Sequence, residues 1–150
     1  MNIAHILATK GGQVYTVRPE ETIRHALRAL AEHNVGALVV IDGTGKPVGI
    51  LSERDVVRRL ARDEGALGMP VSDLMTAPVV TGVPNDELRT AGATMTERRF
   101  RHLPILDGGR LVGVVSLGDI VKAQRDEYQG EVETLETQLI QEGEGKVIKH

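Results

Sequence analysis

Two stretches of this chain repeat one another, and that repeat limits the possible folds more than any other feature of its 150 residues. The first reads VYTVRPEETIRHALRALAEHNVGALVVIDGTGKPVGILSERDVV and the second VVTGVPNDELRTAGATMTERRFRHLPILDGGRLVGVVSLGDIV. Thr16 matches Thr81, Pro19 matches Pro84, Ile23 matches Leu88, Ala26 matches Ala91, Leu30 matches Met95 and Asp42 matches Asp107, each 65 residues on. One residue drops out in the Asp-Gly turn, after which Gly49 matches Gly113, Ser52 matches Ser116 and Asp55 matches Asp119. Apolar, glycine and charged positions all keep step. Two copies are too few for a solenoid and imply a pseudo-twofold pair.

Each copy reads as strand, helix, strand, strand, helix, which predicts an α/β fold. In the first copy Val14 to Val17 is a short β-rich run, and Ile23, Ala26, Leu27, Leu30 and Ala31 recur at helical spacing. Ala37 to Ile41 is a continuous aliphatic run, as in a buried strand. Asp42-Gly43 marks a hairpin turn and Asp107-Gly108 repeats it. Val48 to Leu51 returns, and Ser52 caps a helix carrying Val56, Val57 and Leu60. The expected division is a first repeat over 14–61, a connector over 62–78 with a short helix near Val71 to Met75, a second repeat over 79–124, and a helical extension and tail over 125–150. Neither copy can cover its sheet alone, so the two are expected to pack sheet to sheet.

Past Asp119 the helical pattern continues through Val121, Tyr128, Val132, Leu135 and Leu139, close to an a/d seam and weakened by Gly130. Such a stripe either lies on its own domain or pairs with a second copy in a homodimer. The tail GEGKVIKH carries no pattern.

Composition excludes several classes. Aromatic residues are 2% of the chain, which argues against a stacking platform for single-stranded nucleic acid. The net charge of −3 gives no global pull toward DNA or an anionic membrane. With no cysteine there are neither disulfides nor thiolate metal sites. The N-terminus does not read as a signal peptide and no apolar run approaches a membrane span, so a cytoplasmic protein is expected. Walker, H-E-x-x-H and G-x-S-x-G motifs are absent, and Gly43-Thr-Gly45 sits in a hairpin rather than between strand and helix, so the chain is not expected to be an enzyme.

The chemistry concentrates in a doubled motif, Gly49-Ile-Leu-Ser52-Glu-Arg-Asp55 and Gly113-Val-Val-Ser116-Leu-Gly-Asp119. Ser-x-x-Asp is a capping-box variant that any strand-to-helix junction can use. Capping also sets the carboxylate and hydroxyl at a helix N-terminus, where free amides attract anions. A carboxylate there can take both hydroxyls of a ribose.

The doubled G-h-h-S-x-x-D pattern (h is apolar), the Thr16…Pro19 and Thr81…Pro84 openings and the Arg-His-Leu-Pro-Ile strand entry together resemble the CBS-domain family over about residues 14–124. The resemblance implies a tandem pair with two clefts that take AMP, ADP, ATP, NAD(H) or S-adenosylmethionine, assembled as a disc-like dimer. It implies a stand-alone regulatory role, such as energy sensing, toward a protein the sequence does not identify. Asp55 and Asp119 match the ribose-binding aspartates, with Ser52 and Ser116 beside them. Arg101 and His102 match the phosphate-binding positions, with Arg98 a turn earlier. Thr16, Val17, Arg54 and Thr81 complete the implied nucleotide-contacting set. Gly36 and Ala37 stand where the second copy has Arg101 and His102, so the Asp55 cleft is expected to be the better phosphate site. Against this stand a solvated helix end for Arg98 and Arg99, a ligand-independent dimerisation module, and RNA binding through Arg98 to Arg101.

Overall fold

The computed structural model describes residues 1–144, so His150 and the rest of the tail from 145 onward lie outside the described residues. The first repeat comprises β1 (Thr16–Val17), α2 (Ile23–His33), β2 (Ala37–Ile41), β3 (Pro47–Ser52) and α3 (Glu53–Leu60), preceded by a helix α1 (Ile3–Lys10). The connector holds a 3-10 turn (Glu64–Gly68) and α4 (Val71–Leu74). The second repeat comprises α5 (Leu88–Arg98), β4 (His102–Asp107), β5 (Arg110–Ser116) and the long α6 (Leu117–Glu144).

β1 runs parallel to β2, with α2 as the crossover, and β2 pairs antiparallel with β3. β4 and β5 form the matching hairpin. The opening strand expected in the second repeat is not formed. It is reduced to a single parallel bridge between Gly82 and Ile105, with amide bonds from Gly82 N to Pro104 O and from Leu106 N to Gly82 O. Both hairpins carry a register shift at equivalent places, Val40/Ile41 and Ile105/Leu106. Their turns differ. Gly108 and Gly109 are both left-handed (φ 58° and 80°), a two-residue turn suited to strand twist. The first turn is instead a longer loop in which Asp42 Oδ1 accepts from the amides of Thr44 (2.8 Å) and Lys46 (3.0 Å), and Gly45, not Gly43, takes the left-handed conformation.

Cover for each sheet comes from an unexpected place. The amides of Ile3 and Ala4 donate to the carbonyls of Asp86 and Pro84 (both 2.9 Å), so α1 docks on the second repeat. The amides of Val71 and Ser72 donate to the carbonyls of Glu21 and Pro19 (2.8 and 3.0 Å), so α4 docks on the first. Those acceptors are repeat equivalents. Each repeat is therefore lidded by the segment that leads into the other. The buried side chains accordingly fall into two clusters. One joins Ile3 and Ile6 to Leu88, Met95, Ile105, Val115 and Ile120. The other joins Val71 to Val17, Ile23, Leu38, Leu51 and Val56. This exchange also accounts for the motif glycines. A Cβ on Gly113 would lie 2.5 Å from Leu7 Cδ2, and one on Gly49 would lie 2.7 Å from Met75 Sδ.

Helix α6 leaves the domain after its first turns. Val121, Tyr128, Leu135 and Leu139 are all more than half exposed. The stripe thus does not lie on its own domain along this length. No described helix is long and apolar enough to cross a membrane.

Candidate functional site

A cleft of about 960 Å³ opens between the two repeats, within the range of small-molecule sites. The first repeat contributes Gly36, Ile50, Ser52, Glu53, Arg54, Asp55 and Arg58, and the second contributes Met95, Arg98 through His102 and Leu117. Pro78, Val79 and Val80 close it from the connector end. Arg54, Arg58, Arg98, Arg99 and Arg101 outnumber Glu53 and Asp55 there, although the whole chain is net negative. Among the described residues none of these arginines forms an ion pair. Concentrated, unpaired positive charge in a concave site draws anions.

Asp55 is held by the capping box that the sequence motif predicts. Its Oδ2 accepts from Ser52 N (2.9 Å) and Ser52 Oγ (3.0 Å), while Asp55 N donates back to Ser52 Oγ at 3.2 Å. The second motif repeats it, with Ser116 N to Asp119 Oδ2 at 2.9 Å and Asp119 N to Ser116 Oγ at 3.0 Å. In each repeat the residue entering the hairpin accepts the first amide of the motif helix, Glu53 N to Gly36 O (2.9 Å) and Leu117 N to Arg101 O (2.8 Å). That bond fixes the backbone of Arg101 while its side chain stays exposed. Arg99, at the end of α5, is left-handed (φ 61°), as is its equivalent Asn34 (φ 52°). The chain reverses there and delivers Arg101 and His102 into the cleft.

Burial pushes the His102 imidazole below its ordinary value near 6.5, and the positive charges of Lys10 and Arg101 add to this against the opposing pull of Asp119 and Asp55. His102 is therefore uncharged near neutrality, and its charging calls for stronger acid than an unperturbed ring would need. The folded state resists that proton. The contribution to stability is complete above pH ~6.5 and declines as pH falls from there toward the lowered value.

Two tracts, residues 4–62 and 71–126, match the model of the CBS domain. The chain belongs to the CBS-domain family. It is 39% identical to the CBS domain-containing protein YhcV of Bacillus subtilis over 112 residues, which cover 75% of this chain and 79% of YhcV. The CBS-domain containing protein ATU1752 of Agrobacterium tumefaciens has a solved structure that superposes with a TM-score of 0.77 at 40% identity, covering 82% of this chain and 92% of that one. The CBS domain pair of protein MJ0100, solved in complex with 5'-methylthioadenosine and S-adenosyl-L-methionine, gives a TM-score of 0.72 at 25% identity and covers 82% and 98% of the two chains. CBS pairs are regulatory modules.

Within this CBS pair the residues singled out from sequence separate into three places. Ser52, Arg54, Asp55, Arg98, Arg101 and His102 line the one cleft. Ser116 and Asp119 sit at the second motif, where Lys10 Nζ reaches Asp119 Oδ2 at 2.7 Å. Gly36 and Ala37 bring no charge to this carboxylate in place of Arg101 and His102, but α1 supplies a cation. Burial alone would raise the Asp119 pKa, but its bonds to Lys10 and Ser116 prevail and hold it below the usual carboxylate value. Thr16 and Thr81 are exposed and lie outside the cleft lining, and Val17 is buried in the first core at 2% exposure. Sequence reasoning passed over Phe100, the chain's one phenylalanine, which lines the cleft half-buried, and Arg58, one turn beyond Asp55. Arg58 was legible as the i+3 neighbour of Asp55 on α3. Phe100 was hidden inside a run read only for its charge.

Proposed function

We propose that the Asp55 cleft binds a phosphorylated adenosine nucleotide, AMP, ADP, ATP or NAD(H), and that the protein is a cytoplasmic sensor coupling this ligand to a regulated partner rather than a catalyst. One observation carries the reading: a capped carboxylate, Asp55, shares a single cleft with five arginines, two from its own helix and three from the other repeat, and among the described residues none of them pairs with it. Asp55 takes the ribose hydroxyls and Arg101 the phosphate in a bidentate pair. Adenine lies among Ile50, Val79, Val80 and Phe100, all of which line the same space. The adenosine ligands of MJ0100 support the nucleoside half of this reading. Neither is phosphorylated, and the arginines of the present cleft favour a phosphate. AMP is expected to bind at least tenfold more tightly than adenosine, and Arg101→Ala to remove most of that difference, since charge-assisted bonds are about twice as strong as neutral ones. GMP is expected to bind more weakly than AMP, because its base edge would leave backbone groups mismatched. Calorimetric titration of the three ligands into both proteins decides it. Equal affinity for AMP and adenosine in the wild type would remove the phosphate from the proposal.

The α6 stripe supports a homodimer in the same reading. Val121, Tyr128 and Leu135 recur every seventh residue, as do Val132 and Leu139, the spacing of a two-helix seam. A dimer mass is expected from light scattering at micromolar concentration, and Leu135→Glu with Leu139→Glu is expected to shift it toward monomer. A monomer mass for the wild type counts against the seam. A dimer alone, without nucleotide, is the competing interaction-module reading, and the titration above separates the two.

A further inference from the structure

The two motif carboxylates share one capping geometry but keep different company. Among the described residues, Asp55 Oδ2 accepts from the amide and hydroxyl of Ser52 alone. Asp119 Oδ2 accepts from Ser116 N and also from Lys10 Nζ at 2.7 Å, and the same ammonium donates to Val114 O at 2.9 Å. Lys10 belongs to the last turn of α1, the exchanged helix. In the matching exchange, where Val71 stands for Ile3 and Ser72 for Ala4, the position of Lys10 falls on Pro78, which has no charge.

The Lys10 backbone is also well placed to hold its ammonium there. Gly11 ends α1 with φ 93°, and its amide donates to Leu7 O. Gly12 then passes so close to β5 that a Cβ would lie 2.7 Å from Val112 O. The end of α1 therefore lies against the strand that leads into Ser116 and Asp119. An ammonium on a carboxylate oxygen uses an acceptor site that a ribose hydroxyl would use, and it adds an attraction between opposite charges that a neutral hydroxyl lacks.

We propose that Lys10 is an internal occupant of the Asp119 site, so that two carboxylate sites alike in motif differ in their affinity for adenosine. This rests on reading the motif carboxylates as ribose acceptors. Lys10 determines which of the two sites takes a nucleoside first.

The test is a titration of the isotope-labelled full chain with adenosine, followed through backbone amide shifts. Adenosine has no charge, so loss of the lysine cannot act through attraction to phosphate. The Ser52 and Asp55 amides report one site and the Ser116 and Asp119 amides the other. In the wild type the second pair is expected to respond only at higher adenosine. In Lys10→Met its midpoint is expected to fall about tenfold, with the first pair unmoved. Lys10→Arg keeps the cation and is expected to titrate like the wild type. An unchanged Ser116 and Asp119 midpoint in Lys10→Met overturns the proposal, as does a Lys10→Arg protein that behaves like Lys10→Met, or silence of those amides in every variant. Silence of Ser52 and Asp55 toward both adenosine and AMP would instead sink the nucleotide reading of the Asp55 cleft. A gain at Ser116 and Asp119 in Lys10→Met would still stand in that case.

Discussion

Asp55→Ala is expected to weaken AMP binding about a hundredfold, while Asp119→Ala changes the strongest binding event by less than about threefold. Two ribose hydroxyls donate to the Asp55 carboxylate in the proposed complex, and a hydrogen bond to a charged group contributes roughly 1.5–3 kcal/mol. Losing two such bonds corresponds to at least two decades in affinity. Asp119 differs because Lys10 already holds its Oδ2 and because Gly36, not an arginine, stands at the position equivalent to Arg101. Calorimetry on the two variants checks this, with the amide spectrum as a control for folding. Asp55 also caps α3, so some loss of thermal stability is expected on its own account. A larger affinity loss from Asp119→Ala would mean that the wrong cleft has been assigned to the nucleotide.

The second large effect concerns stability and tests the exchanged helices. Ile3→Ala is expected to cost about 3 kcal/mol, since a fully buried Ile is truncated in a packed cluster. Val71→Ala is expected to cost roughly 2 kcal/mol by the same reasoning with fewer methyl groups lost. The informative part is where the damage falls. Ile3 stands in sequence before the first repeat, yet its loss is expected to accelerate hydrogen exchange in α5, β4 and β5. Val71 stands before the second repeat, and its loss is expected to loosen α2 and β2. If Ile3→Ala instead opened β2 and β3, the docking of α1 described above would be wrong.

Much of this fold could be read from local pattern. Ala37–Ile41 forms a strand with the bounds its aliphatic run predicts, because an unbroken apolar run of five has few other stable placements. Ser52 and Asp55 cap α3 as their spacing requires, and Asp55, Arg101 and His102 meet in one cleft as the family resemblance implies. What was not legible depends on partners distant in sequence. The docking of α1 on the second repeat joins Ile3 to Asp86. Nothing in the residues around Ile3 encodes that pairing. Lys10 escaped notice for the same reason, since it meets Asp119 only through that docking. The missing strand near Thr81 reflects tertiary context overriding β propensity. Val79 and Val80 are drawn to the cleft instead of a ladder. In the first hairpin the Asp42-Gly43 pair looked like a two-residue turn, but the extra residue of that copy moved the left-handed position to Gly45.

The exchange of lidding helices has a consequence for how the protein is made. The first repeat can close as soon as Val71 leaves the ribosome, since the other buried members of its cluster precede it. Ile3 and Ile6, made before the first repeat, find their pocket complete only after Ile120 has been synthesised. At the usual pace of translation that wait is roughly ten seconds. Once the first repeat has closed, a short greasy helix stays tethered to a finished half, exposed to chaperones and to other nascent copies. The last contacts to form join α1, made before the first repeat, to Ile120 at the end of the second, so that helix waits through the synthesis of both.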